Sequence, residues 1–187
     1  MKSRAERAAA PPTPETVIRA RRLRLNQKSD VAAFFGKLIV LAAVLYGMFA
    51  VLFGVVPMRS NDMKPTLSAG DLLLFYRLAD DFHAGDIVVF DEGDERRVGR
   101  VAAVGGDTVE VTEDSALRIN GSYMIETDIY YPTPRYGDEV SYPLTLEEGE
   151  YFILCDLRDG GRDSRYFGPV PAERMLGRGI AAARRSL

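Results

Sequence analysis

The chain has 187 residues, of which 24 are basic and 27 acidic, with one His, one Cys and no Trp. This length allows one globular domain with an additional segment. A single Cys excludes an intramolecular disulfide and a Cys-cluster zinc site, and a single His excludes a His-rich metal site, so we expect no metal and no cofactor. The net charge of −3 argues against a nucleic-acid-binding protein, which would carry a basic face.

The N-terminal segment differs sharply in charge from the rest of the chain. Residues 1–30 contain eight Lys or Arg and three Asp or Glu, a net charge of +5, whereas the remaining residues carry a net charge of −8. This asymmetry is typical of a chain whose two parts lie on opposite sides of a membrane. We expect residues 1–30 to form a disordered cytoplasmic tail or an arm on anionic lipid headgroups.

An apolar segment follows this tail. Leu38 to Val56 form a run of 19 residues without a charge, which as a helix spans most of a hydrocarbon core of about 30 Å. A buried core helix would show a polar stripe, and a cleaved signal peptide would have a shorter apolar region nearer the N-terminus. We therefore predict a transmembrane helix over residues 31–56. The positive-inside rule then places residues 1–30 in the cytoplasm and residues 57–187 outside the cell membrane.

The segment after the helix consists of short apolar runs separated by Gly, Asp and Pro, a pattern typical of antiparallel β structure. The candidate strands are residues 72–76, 87–90, 98–104, 108–111, 117–119 and 151–154. No run alternates with amphipathic helices, as a parallel α/β fold would require. We predict a mainly β extracytoplasmic domain over residues 57–187.

Four ordered blocks of this domain carry a family resemblance. They read SNDMKPTLSAGD at 60–71, AGDIVVF at 84–90, RVAAVGGD at 100–107 and DLRDGGRDSRYFG at 156–168. Together with the preceding apolar helix, they resemble the type I signal peptidases, the serine–lysine leader peptidases. The resemblance implies an antiparallel β domain beside the membrane, serine endopeptidase chemistry, and substrates that bear a signal peptide.

The catalytic positions of that family are replaced in this chain. The resemblance places the nucleophilic serine at Asp62, the general-base lysine at Gly99, and the serine that orients the lysine at Gly161. Cys155 stands where the family usually has Gly. Ser60, in contrast, matches the serine whose hydroxyl helps to build the oxyanion hole.

The other matching positions are implied to line the peptide groove or to hold the structure. They are Met63, Pro65, Arg100, Asp159, Asp163, Ser164 and Arg165. Within the last block, we expect Arg158, Asp159, Asp163 and Arg165 to form one hydrogen-bonded network. The acidic stretch 91–95 is expected to be a solvated hairpin tip, and Cys155 to be a buried small residue.

The replacements also argue against serine catalysis on chemical grounds. Serine attack needs a hydroxyl and a nearby base that is neutral at the working pH. Asp62 instead places a negative charge where an oxyanion would form, which opposes the stabilisation that dominates such catalysis. Gly99 offers no base, and Lys64, the one lysine after residue 57, occupies a variable position of the block.

Other bases and acids are weaker candidates. His83 lies 16 residues before Gly99 and outside the blocks, and a lone His is more often structural or solvated. An aspartic dyad would need Asp107 or Asp163 to share a proton with Asp62. Asp107 follows a Gly-Gly turn, and Asp163 is placed to pair with Arg165.

Two functions are carried forward. The first is a signal-peptidase-like protein without the Ser/Lys dyad, a non-catalytic accessory protein or chaperone. The Asp-for-Ser and Gly-for-Lys replacements resemble accessory proteins of Gram-positive pilus assembly, which implies a pilin or another signal-peptide-bearing protein as a partner and a sortase nearby. The alternative is an active type I signal peptidase with an unconventional centre at Ser60 and Lys64 or at a carboxylate pair.

Overall fold

The computed structural model describes residues 13–126, 129, 131–136 and 139–184. Its helices and strands, in chain order, are α1 Pro14–Leu52, β1 Phe53–Pro57, β2 Leu72–Tyr76, β3 Ile87–Glu92, β4 Glu95–Val104, β5 Thr108–Val111, β6 Leu117–Ile119, β7 Ser122–Tyr123, β8 Leu144–Thr145, β9 Glu150–Leu154, α2 Ser164–Phe167, β10 Val170–Pro171 and β11 Met175–Ala183. A short 3₁₀ turn, Ala172–Arg174, precedes β11. The chain divides into two compact units, Met1–Phe49 and Ala50–Leu187.

Within the described residues, α1 contains one stretch that is long and apolar enough to cross a membrane, Asp30–Leu52. Its 23 residues extend about 34 Å as a helix. None of the apolar window is buried, and Ile39 and Tyr46 are 67% and 75% exposed, so the segment is not a core helix of a soluble domain.

One boundary predicted from the sequence differs in the structure. The predicted transmembrane segment 31–56 is too long at its C-terminal end, because residues 53–56 belong to β1 and pair with β2. Of the two alternatives for residues 1–30, a disordered tail does not describe residues 14–30, which are part of α1, and an arm on lipid headgroups stays a prediction. The first twelve residues lie outside the described part of the chain. Absence of charge thus marks the apolar run but does not show where its helix changes into a strand.

The predicted mainly antiparallel β fold is confirmed. Seven strands form one sheet in the order β1-β2-β11-β3-β4-β9-β10, and four form a second sheet in the order β7-β6-β5-β8. All nine recorded strand pairings are antiparallel. The acidic stretch 91–95 forms the turn between β3 and β4, with Glu92 opposite Glu95, as predicted.

The central strands are buried on both faces because side chains alternate along a strand. In β9, Phe152 packs into the cluster beneath the four-stranded sheet, whereas Ile153 packs into a cluster with Phe90 and Val101. A third cluster joins β1 and the following loop through Val56 and Met63. This third cluster fixes the loop that carries the first sequence block.

Candidate functional site

The loop between β1 and β2 carries Ser60 and Asp62, and buried apolar side chains hold it in place. Met63 is fully buried and Leu67 nearly so, and the Leu67 amide donates to the Met63 carbonyl at 2.8 Å. Ser60 is exposed and Asp62 is half-buried, so the side chains of both residues are accessible to solvent. Pro65 is exposed and lies on the outside of the loop.

A buried carboxylate ties this loop to the two strands behind it. Asp156, which is fully buried, accepts bonds of 2.8 and 2.7 Å from Arg100 and one of 2.5 Å from the Thr66 hydroxyl. The Leu157 amide donates to the Asp62 carbonyl at 2.8 Å. The structural role predicted for Arg100 therefore has a specific geometry: Arg100 fixes Asp62 indirectly, through Asp156 and the backbone.

Asp62 and Ser60 line a cleft of about 520 Å³ between β1 and the β3–β4 hairpin. Residues 55–60 form one wall, residues 94–98 form the other, and Cys155 and Arg162 also contribute. Since three strands separate β1 from β4 in the sheet, the sheet must curve to bring both to one cleft.

Both walls present strand edges without a partner among the described strands. β1 is the end strand of its sheet. β4 pairs with β9 only through residues 100–104, so residues 95–99 have no strand on that side. Unpaired strand edges are able to bind an extended peptide through main-chain hydrogen bonds.

No side chain has room at position 99 without displacement of the core. A Cβ on Gly99 would lie 2.4 Å from Cγ2 of Ile153 and 3.3 Å from the Leu154 carbonyl oxygen. Ile153 is fully buried, and its β-branched side chain has few alternative rotamers. The space expected for a lysine stem is therefore occupied by Ile153.

Position 161 is closed in the same way. A Cβ on Gly161 would lie 2.7 Å from Cβ of Cys155 and 2.7 Å from the Leu157 carbonyl oxygen. Cys155 is 4% exposed, as predicted for a buried small residue.

Burial raises the pKa of the Cys155 thiol, and the charges of Asp163 and Asp62 raise it further. A neutral, buried thiol is a poor nucleophile.

The last sequence block fixes β9 and thereby both obstructing side chains. Asp163 accepts from the Cys155 amide at 2.9 Å and pairs with Arg165 through two bonds of 2.8 Å. The Ser164 hydroxyl accepts from the Ile153 amide at 3.0 Å. Both acceptors are buried, so loss of either would leave the amide of Ile153, in β9, or of Cys155, directly after β9, without its partner.

The members of the predicted network are connected, partly through residues that were not predicted. Asp163 pairs directly with Arg165, and Cys155 joins Asp163 to Arg158, because the Cys155 amide donates to Asp163 and the Cys155 carbonyl accepts from Nε of Arg158 at 2.8 Å. The Tyr136 hydroxyl joins the Arg158 carbonyl to Asp159.

Arg158 is fully buried and donates to Glu126 at 2.6 Å and to Thr133 at 2.9 Å. Asp159 is exposed and accepts from the Tyr136 hydroxyl at 3.4 Å. The partners of Arg158 lie outside the four blocks, where no motif indicates them.

The weaker catalytic candidates do not converge on the cleft. Lys64 and His83 are exposed, and neither lines the cleft. His83 lies 3.5 Å from Asp81. Asp107 accepts from the Val104 amide and from Asn120, which is a structural role in a turn.

The arginines that line this cleft were not predicted from the sequence. Arg59, Arg96, Arg97 and Arg162 all contribute to it. Arg97 lies on the same face of β4 as position 99, since residues two apart in a strand share a face. That periodicity was the one available signal.

Comparisons with known proteins agree with the four blocks. The family described as "Signal peptidase, peptidase S26" matches residues 31–183. Signal peptidase I of Bacillus licheniformis is 33% identical over 166 residues, which cover 81% of this chain and 88% of the relative. Probable signal peptidase I-2 of Synechocystis sp. is 32% identical over 157 residues, covering 76% and 69%. A crystal structure of a signal peptidase I from Enterococcus faecalis is 30% identical, covers 52% of this chain and 96% of that one, and has a TM-score of 0.43. The chain therefore belongs to the signal peptidase family, peptidase S26.

Proposed function

We propose that this protein is a membrane-anchored member of the family that binds extended peptides without cleaving them. The observation that carries the proposal is the occupation of the two positions where a base and its orienting serine would stand. Ile153 fills the space beside Gly99, and Cys155 fills the space beside Gly161. Without a base, neither Ser60 nor a water molecule in the cleft is activated for attack on a peptide bond.

Asp62 adds a second obstacle to catalysis. Its carboxylate occupies the position that the resemblance assigns to the nucleophile, beside a cleft where a tetrahedral oxyanion would need stabilisation. A fixed negative charge there raises the energy of that intermediate. The two strand edges that border the cleft do not depend on any of the replaced residues, so peptide binding and peptide cleavage are separable in this fold.

The topology proposed for the membrane follows from charge. The basic segment up to residue 30 lies in the cytoplasm, Asp30–Leu52 crosses the membrane, and the β domain lies on the extracellular side. In this orientation the cleft is available to exported proteins, whose signal peptides are the substrates of the family.

The client proposed for the cleft is a pilin. The Asp-for-Ser and Gly-for-Lys replacements support this, because they resemble those of accessory proteins in Gram-positive pilus assembly. In that role, the protein holds a pilin subunit at the membrane near the sortase that links the subunits, as a chaperone would. Cross-linking of the cleft to pilins in intact cells tests the client independently of the question of catalysis.

The catalytic question is tested with a fluorogenic signal-peptide substrate and the full-length protein in detergent. We expect no turnover by the native protein. Because Ile153 and Cys155 obstruct the restored side chains, the gain-of-function variant combines Asp62→Ser, Gly99→Lys and Gly161→Ser with Ile153→Ala and Cys155→Gly. The Leu157 carbonyl also lies 2.7 Å from a Cβ at position 161, so a second variant keeps Gly161 and Cys155. Binding or slow cleavage by either variant, with binding alone by the native protein, is the expected result.

An active signal peptidase with a relocated centre is the second candidate. Ser60 favours it, because this hydroxyl lines the same cleft as Asp62. Turnover by the native protein that disappears in Ser60→Ala or in Lys64→Ala would establish this candidate and overturn the proposal of a non-cleaving protein.

A further inference from the structure

We infer that the cleft selects extended peptides in which a carboxylate lies next to apolar residues. This inference rests on the proposed peptide-binding function and specifies the chemistry of the peptide. It comes from the arginines on the cleft walls, of which Arg162 alone lies within the four sequence blocks.

The cleft has an apolar part and a cationic part. Val56 and Met58 are buried side chains of the first wall, and Val98 contributes from the second. Arg59 lies next to Met58, and Arg97 lies next to Val98. Successive side chains of an extended peptide point to opposite faces. Neighbouring residues of one bound peptide would therefore contact different parts of the cleft, an apolar residue the apolar part and a charged residue the cationic part.

The arginines of the cationic part differ in their pairing. Arg96 pairs with Asp91 and Arg97 pairs with Glu95, so the unpaired guanidinium groups of the cleft, within the described part of the chain, are those of Arg59 and Arg162. Nε of Arg97 is buried and has no hydrogen-bond acceptor among the described residues. A carboxylate oxygen of Glu92 lies 3.6 Å from it, beyond hydrogen-bonding distance. Arg59 and Arg162 form no ion pair with any carboxylate of the described residues.

The acidic residues of the cleft do not cancel these charges equally. Glu95 already pairs with Arg97, and Asp94 is exposed at the hairpin turn, where solvent and salt screen its charge. Asp62 is half-buried and is the one acidic residue of the cleft that would repel an anionic ligand at close range. Its removal should therefore strengthen the binding of an acidic peptide, whereas a basic ligand would lose its counter-charge.

A carboxylate is the ligand group that fits these arginines. Guanidinium groups bind carboxylates through paired, charge-assisted hydrogen bonds. The proposed carboxylate is that of an Asp or Glu side chain within the extended peptide. A C-terminal carboxylate has the same chemistry, so the test includes it as a separate outcome.

The experiment measures peptide affinity for the full-length protein in detergent by fluorescence anisotropy. Twelve-residue fluorescent peptides share one neutral Ala/Val/Thr sequence, are acetylated and amidated, and differ only in a central Glu, Gln or Lys. A fourth peptide carries the Gln and a free C-terminal carboxylate. The variants are Arg97→Gln, Arg162→Gln and Asp62→Asn, and Arg174→Gln is the matched control, since Arg174 is exposed and does not line the cleft.

We expect the Glu peptide to bind about fivefold more tightly than the Gln peptide at low salt, with the preference reduced at high salt. Arg97→Gln and Arg162→Gln should each reduce the ratio of the Glu-peptide affinity to the Gln-peptide affinity by about two- to threefold. Asp62→Asn should increase the affinity for the Glu peptide, and Arg174→Gln should leave all affinities unchanged. A comparable gain for the fourth peptide identifies the C-terminal carboxylate as the source.

Three results would overturn the inference. Equal affinities for the Glu, Gln and Lys peptides would leave the proposed peptide binding intact but remove the charge selectivity. Preference for the Lys peptide, lost in Asp62→Asn, would show that Asp62 selects a basic residue. Absence of binding for every peptide would reject both the selectivity and the proposed function.

Discussion

The substitution Gly99→Ala is the smallest change that tests whether the catalytic-base position is closed by packing. Gly99 has no positive φ, so alanine introduces no backbone strain. Its Cβ would lie 2.4 Å from Cγ2 of Ile153, whereas two carbon atoms in contact prefer about 3.5–4.0 Å. Either Ile153 or β4 must move by about 1 Å.

The expected cost follows from this overlap. Overpacking in a well-packed core costs about 1–3 kcal/mol, and replacement of a strand glycine returns about 0.5–1 kcal/mol of backbone entropy. Because an overlap of about 1 Å in a fully buried site places the packing cost near the upper end of its range, Gly99→Ala should destabilise the β domain by about 2 kcal/mol. This corresponds to a decrease in Tm of about 4–8 °C for a chain of this size.

A double-mutant cycle with Ile153→Ala separates this clash from other effects. Ile153→Ala alone should cost about 3 kcal/mol, since the side chain is fully buried. The new Cβ at position 99 then occupies part of the space vacated by Ile153. The double variant should be about as stable as Ile153→Ala, which gives a coupling energy of about 2 kcal/mol.

The assay is denaturation of the full-length variants in one detergent, followed by fluorescence and by far-ultraviolet circular dichroism. Additive costs within about 0.5 kcal/mol would show that the two side chains do not compete for one space. A Gly99→Ala variant as stable as the native protein would also refute the reasoning. In either case, the absence of a base at position 99 would have to be explained without Ile153.

The remaining predictions concern buried polar groups. Tyr142→Phe should leave Tm unchanged or raise it slightly, because the Tyr142 hydroxyl is buried without a hydrogen-bond partner among the described residues. Tyr136→Phe should instead lower Tm by about 2–4 °C, because it removes the hydrogen bonds of the Tyr136 hydroxyl to Gly160 and Arg158. Burial raises the pKa of Tyr142 to about 12 in the folded protein. The stability that follows from this shift is fully present below pH 10 and is lost as the pH rises towards 12. A pH series should therefore show a steeper alkaline decrease in Tm for the native protein than for Tyr142→Phe. Cys155 should resist a thiol-specific reagent at pH 8 and react as one thiol per chain in denaturant, and rapid labelling of the native protein would contradict its burial. Asp156→Asn should cost about 3 kcal/mol in the free energy of unfolding, because Asp156 holds a charged guanidinium from a fully buried position.

Periodicity was sufficient to predict the strands whose residues alternate or form short apolar runs between turns. The strands at 72–76, 108–111 and 117–119 have the predicted bounds, and β3 and β4 are each longer only at their shared hairpin. β1 was assigned to the helix because its residues are as apolar as those before it. Gly54, whose Cβ would lie 2.3 Å from the Phe75 ring, and Pro57 were the signals of a change in structure.

The strand β11 was missed because its sequence lacks the usual features of a strand. Its register shifts twice, between Met175 and Gly177 and between Gly179 and Ala181, so the hydrophobic alternation is interrupted. Gly177 has a φ of +149°, and a Cβ there would lie 2.1 Å from the Tyr76 carbonyl oxygen. Glycine is required at position 177 because the backbone of β2 approaches it closely, and a single sequence does not reveal that approach.

The departures at the site were visible in the sequence as separate substitutions, but their physical relation was not. The resemblance places Gly where this chain has Cys155 and Ser where it has Gly161, two changes that look independent six residues apart. In the structure, Cβ of position 161 would lie 2.7 Å from Cβ of Cys155, so the two positions share one space and side-chain volume has moved from one to the other. Gly99 and Ile153 are related in the same way across two paired strands. Cys155 and Ile153 fill the spaces beside positions 161 and 99, so the core keeps its packing density there, and a side chain added at either glycine alone meets a steric cost. The proposed absence of serine–lysine chemistry is therefore compatible with a stable fold, and a return to that chemistry requires changes in the core as well as in the cleft.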